Sequence, residues 1–195
     1  MLYRTQNSVG APEATVVTVI IPYKANASQL FALAFFTDAA YNGCNPSIAL
    51  QTGSRLDNAF ATLQTANIVA ALDQGWIVSV ADDGGPQAAF PSGLQAGQAT
   101  LDSLRAVKQS GDITGIDADP IITLTGYSGG GLTSEWTAEL QPTYAPDINI
   151  VGIALGGLVP NLGFHRIRER RALFFARSAR YRGSVARLSK PFDVA

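Results

Sequence analysis

Ile121-Ile122-Thr123-Leu124-Thr125-Gly126-Tyr127-Ser128-Gly129-Gly130-Gly131 is the stretch on which the rest of the chain depends. Its apolar, β-branched start reads as a buried strand. It runs directly into Gly126-x-Ser128-x-Gly130, and a helical pattern follows. Strand, tight turn and helix form the setting in which this pattern exposes a nucleophilic serine at the end of a sheet. Ser128 needs a strained turn to project its hydroxyl. Gly126 and Gly130 lack Cβ atoms, so strand and helix can pass closely. The Gly129 N–H then falls at a helix N-terminus, where it can hold a developing oxyanion. The competing reading is a glycine-rich turn whose serine merely caps the helix.

Around this stretch strands and helices alternate. Thr15 to Ile21 is β-branched throughout and closed by Pro22, a strand. Leu30 to Phe36 is read as a second strand because of its length and the turn signal at Asn42-Gly43. Asp57 to Gln74 is expected to be helical, with Phe60, Leu63, Ala66 and Ala70 on one face and Gly75 as the stop. Trp76 to Ala81 is a buried-type strand ending in the loop signal Asp82-Asp83-Gly84-Gly85-Pro86. Ser92 to Gln109 reads as a helix with Ser92 at its N-cap and Leu94, Leu101 and Leu104 on one face. The helix after Ser128 carries Leu132, Trp136 and Leu140, with Pro142 as its stop, and Ile148 to Leu155 is the next strand. The alternation predicts an α/β fold, a mostly parallel sheet of about five strands with helices on both faces.

Composition bounds the rest. A chain of 195 residues, 47% of them apolar, can bury one sizeable core. It has no apolar run of membrane-spanning length, and no apolar segment of signal-peptide length at its N-terminus. Cys44 is the single cysteine, so no internal disulfide can form. Asn26-Ala27-Ser28 is a glycosylation acceptor triplet, whereas Asn45-Pro46-Ser47 is excluded by its proline. Positions 1–163 hold 5 basic and 13 acidic residues, and the last 32 hold 9 basic and 2 acidic. Such a shift marks a boundary, so 1–163 is expected to be the folded core and 164–195 an arginine-rich tail outside the fold.

Several stretches together carry a family resemblance. They are Leu2-Tyr3-Arg4-Thr5, Thr37-Asp38 with Cys44-Asn45-Pro46-Ser47 shortly after, and Gln74-Gly75-Trp76-Ile77-Val78. Leu101-Asp102-Ser103-Leu104-Arg105-Ala106, the Ser128 stretch and Tyr144-Ala145-Pro146-Asp147-Ile148-Asn149-Ile150-Val151-Gly152 complete the set. In this combination the chain resembles the fungal secretory lipases of the Candida lipase A type, from about Tyr3 to about Gly157. The resemblance implies a partial α/β-hydrolase fold and carboxylic-ester hydrolysis, with triacylglycerols and other lipid esters as substrates. It places Ser128 on the nucleophile, Gly129 on an oxyanion-hole N–H and Asp38 on the second oxyanion-hole residue. Read without it, Asp38 is a turn aspartate before Asn42-Gly43. The resemblance also implies export, a lipid–water interface as a working surface, and a disulfide for Cys44 whose partner this chain lacks.

In that family the fold continues past Gly157 with a cap and final strands bearing the catalytic aspartate and histidine. The expectation is that this chain lacks both and carries the nucleophile half alone. His165, the single histidine, lies where the base is not expected and is read as a bystander. Asp82 and Asp83 are read as turn-formers, and Asp102 with Arg105 as a helix-surface pair. No cofactor, no metal and no nucleic-acid partner are expected. Two alternatives remain: a non-catalytic fragment holding anionic partners through the basic tail, and an acyltransferase or peptidase on the same fold.

Overall fold

Side chains that alternate across a strand can serve two cores at once, and the central strands here do so. The computed structural model describes residues 1–54 and 59–158. Among them are strands β1 (Leu2–Gln6), β2 (Pro12–Ile20), β3 (Asn26–Ala34), β4 (Trp76–Ala81), β5 (Ile121–Tyr127) and β6 (Ile150–Gly156). Helices are α1 (Pro46–Ala49), α2 (Ala59–Asp73), α3 (Gly93–Lys108), α4 (Gly111–Thr114) and α5 (Gly129–Tyr144). The strands form one sheet in the order β1-β2-β4-β3-β5-β6. Leu30, Ala32 and Ala34 of β3 join Ile77, Ile122 and Leu124 in a core closed by Leu101, Leu104 and Val107 of α3. Leu33 of β3 and Val78 and Val80 of β4 face the other way, onto Ile68 and Ala71 of α2. Burial on both faces explains why these strands read as unbroken apolar runs.

The pairings β3–β4, β3–β5 and β5–β6 are parallel, as the alternation predicts. The N-terminal part differs. β1 and β2 form an antiparallel hairpin, and β2 runs antiparallel to β4, so the sheet is mixed and has six strands rather than about five. β1 escapes sequence reading because only Tyr3 and Thr5 point inward, too short a pattern to register. Its turn is shaped by Asn7, whose Oδ1 accepts hydrogen bonds from the N–H groups of Val9 and Ala11.

Helix faces also depart from expectation. Among the described side chains of α2 the buried positions are Gln64, Ile68 and Ala71, while Leu63 is 60% exposed, and the side chain of Phe60 lies outside the described set. On α3 Leu101 and Leu104 are buried as expected, but Leu94 is 38% exposed. Ser92 occupies the N-cap position without a side-chain capping bond. On α5 the buried residues are Gly130, Gly131, Thr133, Ser134 and Thr137. Its apolar stripe packs sideways instead: a Cβ on Gly93 or Gly97 of α3 would collide with Trp136, so these glycines let the two helices touch. Pro142 does not stop α5, which continues to Tyr144. In the last turn a proline removes only one N–H donor. The stop comes from Pro146, which disfavours helical geometry at the preceding residue, and Ala145 sits at φ −138°, ψ 60°. The boundary near 163, His165 and the arginine-rich segment lie outside the described residues, as does Asp57.

Candidate active site

β5 delivers Ser128 to the carboxyl end of the parallel strands. The turn there is as tight as the spacing of its glycines predicts. A Cβ on Gly126 would overlap the Gly130 carbonyl oxygen, and one on Gly130 would overlap that of Ala34. Ser128 itself has φ 55°, ψ −118°, a region that costs a non-glycine residue about 1–3 kcal/mol. Neighbours hold it there. Its N–H donates to the Gly156 carbonyl on β6 at 2.9 Å, and its carbonyl accepts from Leu132 N–H at 3.0 Å. The Ser128 side chain makes no capping hydrogen bond, so a helix-capping serine does not describe it. The residue is partly exposed. Gly129 opens α5, and an N–H in the first turn of a helix has no intrahelical partner.

Asp38 follows β3 with φ 47°, in the left-handed region. Its Oδ1 lies against Gly129, where an added Cβ would overlap it, and the Phe90 ring stands on the same side. Partial burial pushes the Asp38 carboxyl above its ordinary pKa. The chain leading to Asp38 is pinned by a residue that sequence reading did not single out. Gln64 of α2 accepts from Phe36 N–H at 2.6 Å through Oε1 and donates from Nε2 to the Phe36 carbonyl at 3.3 Å. A buried amide on the inward face of a helix is the signal that could have marked it. The apolar spacing drawn on α2 pointed to the wrong face.

A cavity of about 40 Å³ adjoins this site, room for a water or a small group. Thr37, Asp38, Asp83, Phe90, Gly129 and Thr133 are among its walls. Asp83 is more than a turn-former. Its Oδ2 accepts from the Thr133 hydroxyl of α5 at 2.6 Å, tying the loop after β4 to the helix behind Ser128. Burial raises its carboxyl to about 6, against the Thr133 hydrogen bond and with the Asp82 charge adding to the rise. Asp82 also does more than turn the chain. Ser47 donates to it from N–H at 2.9 Å and from its hydroxyl at 2.5 Å, anchoring α1. Burial raises the Asp82 carboxyl, and these bonds oppose the rise. Both carboxyls act as ties between elements.

Asp102 pairs with Arg105 at 3.1 Å, as its position three residues earlier predicts. The pair is not confined to the helix surface. Asp102 Oδ2 also accepts from Thr5 of β1 and Tyr144 of α5, and Arg105 reaches Asp147. Cys44 is a free thiol, partly buried in a single 3-10 turn, Asn42–Cys44. Among the described residues no group of three or more His, Cys, Asp or Glu could hold a metal ion.

The family model described as secretory lipase matches residues 50–170. A lipase A of Arthroderma benhamiae is 45% identical over 166 residues, which cover 83% of this chain and 35% of that protein. Lipase 4 of Candida albicans is 43% identical over 164 residues, again 83% of this chain and 36% of that protein. The crystal structure of Candida antarctica lipase A in its closed state superposes with a TM-score of 0.74 at 37% identity, covering 80% of this chain and 36% of that one. The chain therefore spans about a third of the length of the curated relatives it matches. A match covering more than half of the chain shows its family: this chain belongs to the secretory lipases.

Proposed function

We propose that this chain supplies the nucleophile and the oxyanion-stabilising groups of a carboxylic-ester hydrolase acting on lipid esters such as triacylglycerols. The observation that carries the reading is Ser128. It is held at positive φ between β5 and α5, with no capping role for its side chain and the Gly129 amide beside it. Attack of Ser128 Oγ on an ester carbonyl places negative charge on the carbonyl oxygen. The Gly129 N–H at the start of α5 is oriented to receive that charge, aided by the helix N-terminus. Asp38 is the second donor. A carboxylate cannot donate, so Asp38 acts through its backbone N–H or as the neutral acid, and its raised pKa widens the pH range of the neutral form.

The hydroxyl needs a base to take its proton and return it to the leaving alcohol. His165, the one histidine in the sequence, lies outside the described residues. The groups in hand account for an oxyanion hole and binding, which in serine hydrolases without their triad leave about 10³–10⁴-fold over water. The 195-residue chain is expected to hydrolyse a short-chain p-nitrophenyl ester at or below about that level, with Ser128→Ala, which leaves the oxyanion hole in place, lowering the rate only by the share that passes through an acyl-enzyme. The acid-quenched chain should carry the ester's acyl group on Ser128, and a chain that turns the ester over with no acyl group on Ser128 refutes the assignment. Export from the cell and work at a lipid–water interface belong to the same reading, supported by the family's secretory description. Among the described residues no helix is long and apolar enough to cross a membrane.

A further inference from the structure

We infer that Asn26 is an N-glycosylation site, its carboxamide taking an oligosaccharide from a lipid-diphosphate-linked donor. Asn26-Ala27-Ser28 is the one Asn-x-Ser/Thr triplet in the sequence without an intervening proline. Three letters alone are a weak signal. The fold supplies what they lack.

Asn26 is exposed and opens β3, its N–H fixed on the Gly75 carbonyl at 2.7 Å. Immediately after it the strand bulges. Pairing with β4 passes from Asn26↔Trp76 to Leu30↔Ile77, and the ladder with β5 begins only at Gln29↔Ile121. Ala27 and Ser28 therefore lie outside both ladders, with the Ala27 carbonyl taken by Asp117 N–H. A bulge leaves its residues unpaired and redirects the side chains around it.

Within the bulge the side chains are arranged for the chemistry. Asn26 Oδ1 accepts from Ser28 N–H at 3.1 Å and from the Ser28 hydroxyl at 2.8 Å. Among the described residues Nδ2 donates to nothing. A carboxamide nitrogen is a poor nucleophile because its lone pair is delocalised onto oxygen. Two donors on that oxygen stabilise the negative charge it gathers as Nδ2 loses a proton. In the transfer a bond forms between Nδ2 and the anomeric carbon of the sugar. The bond from that carbon to the diphosphate oxygen breaks, and the lipid diphosphate leaves with the electron pair. The Nδ2 proton passes to the transferase's base.

The location suits a glycan. Asn26 lies at the amino end of β3, whereas Ser128 follows the carboxyl end of β5. At ~3.3 Å per residue these ends are roughly 25 Å apart. A glycan on Asn26 leaves the Ser128 end open. It also stands beside exposed apolar surface at the same end of the sheet, Tyr23 at 92% and Ile121 at 45% exposure.

The inference rests on the export reading, so the test supplies export separately. The full chain is translated behind a cleavable secretion leader in the presence of fungal microsomes. Protected chains are compared before and after an amidase that releases N-glycans. One amidase-sensitive mobility step is expected, absent from Asn26→Gln and Ser28→Ala and retained by Ser28→Thr. The amidase converts the acceptor to an aspartate, so the peptide holding position 26 should gain that signature. Because the leader delivers the chain, a protected chain with no step overturns the acceptor and leaves the export reading standing. A step that survives Asn26→Gln overturns it equally.

Discussion

Asp38 poses a question that a single atom answers. Its Oδ1 faces Gly129, and its backbone is left-handed, a conformation that asparagine adopts as readily as aspartate. Asp38→Asn therefore keeps the turn and offers an N–H donor at every pH. If the neutral acid is the working form, esterase activity of the wild-type chain falls as pH rises through the Asp38 pKa, which burial has raised. In Asp38→Asn that fall disappears. Asp38→Ala removes the donor and is expected to lower kcat by about 10²–10³. If the turn acts through its backbone N–H alone, Asp38→Ala leaves kcat within a few-fold, and a pH–rate series on the three proteins separates the cases. The strand, turn and helix around Ser128 were legible without any family knowledge because the glycines and the β-branched run are local. Asp38 was not. Nothing in its neighbourhood of sequence distinguishes it from a turn aspartate, and its contact with Gly129 joins the ends of two neighbouring strands that lie far apart in sequence.

Among the elements, the close passage of β5, α5 and β3 is the feature that single substitutions disturb most. Gly126→Ala and Gly130→Ala each drive a methyl group into a backbone carbonyl. Neither obstacle can rotate away, so each is expected to cost about 1–3 kcal/mol or more and to shift Ser128. At Gly97 the nearest atom to an added Cβ is the Trp136 carbonyl carbon, at 2.9 Å. Gly97→Val should separate α3 from α5, lowering the thermal midpoint while leaving far-ultraviolet dichroism intact. A midpoint equal to wild type contradicts this packing. Strand positions at the centre were readable because both faces are buried and the apolar run is continuous. The faces of α2 and α5 were not, because these helices turn small or polar residues such as Gln64, Ala71, Thr133 and Ser134 inward. Gln64 serves the Phe36 backbone and Thr133 serves Asp83, contacts 28 and 50 residues apart in sequence that no periodicity encodes. β1 was missed for a related reason: its two inward side chains gain their meaning only from β2 and α3.

At the scale of the whole molecule, four acids near the site end share a raised pKa. Burial raises Asp38, Asp82, Asp83 and Glu13, and Asp83 reaches about 6. A carboxyl whose folded pKa exceeds its unfolded value binds protons more tightly when folded. Stability from such a group is present below the unfolded pKa and is lost as pH climbs through the folded one. For Asp83 that window runs from about 4 to about 6, and the loss is about 3 kcal/mol at ~1.4 kcal/mol per pKa unit. Asp147 works in the opposite direction, its pKa lowered by Arg105, with stability lost at more acidic pH. Denaturant midpoints should therefore decline between pH 4 and 6, and Asp83→Asn, which still accepts from Thr133, should flatten the decline. An equal slope in the variant contradicts the assignment of the buried charge to Asp83.

The most direct test of the account is to find which atom reacts. The chain is incubated with a p-nitrophenyl alkylphosphonate, an ester mimic that leaves its phosphorus on an attacking oxygen, and the modified peptide is sequenced by mass spectrometry. A single adduct on Ser128 is expected, absent from the denatured chain and from Ser128→Ala. An adduct on another residue, or an unmodified Ser128 in a preparation that hydrolyses esters, contradicts the assignment of the nucleophile to Ser128.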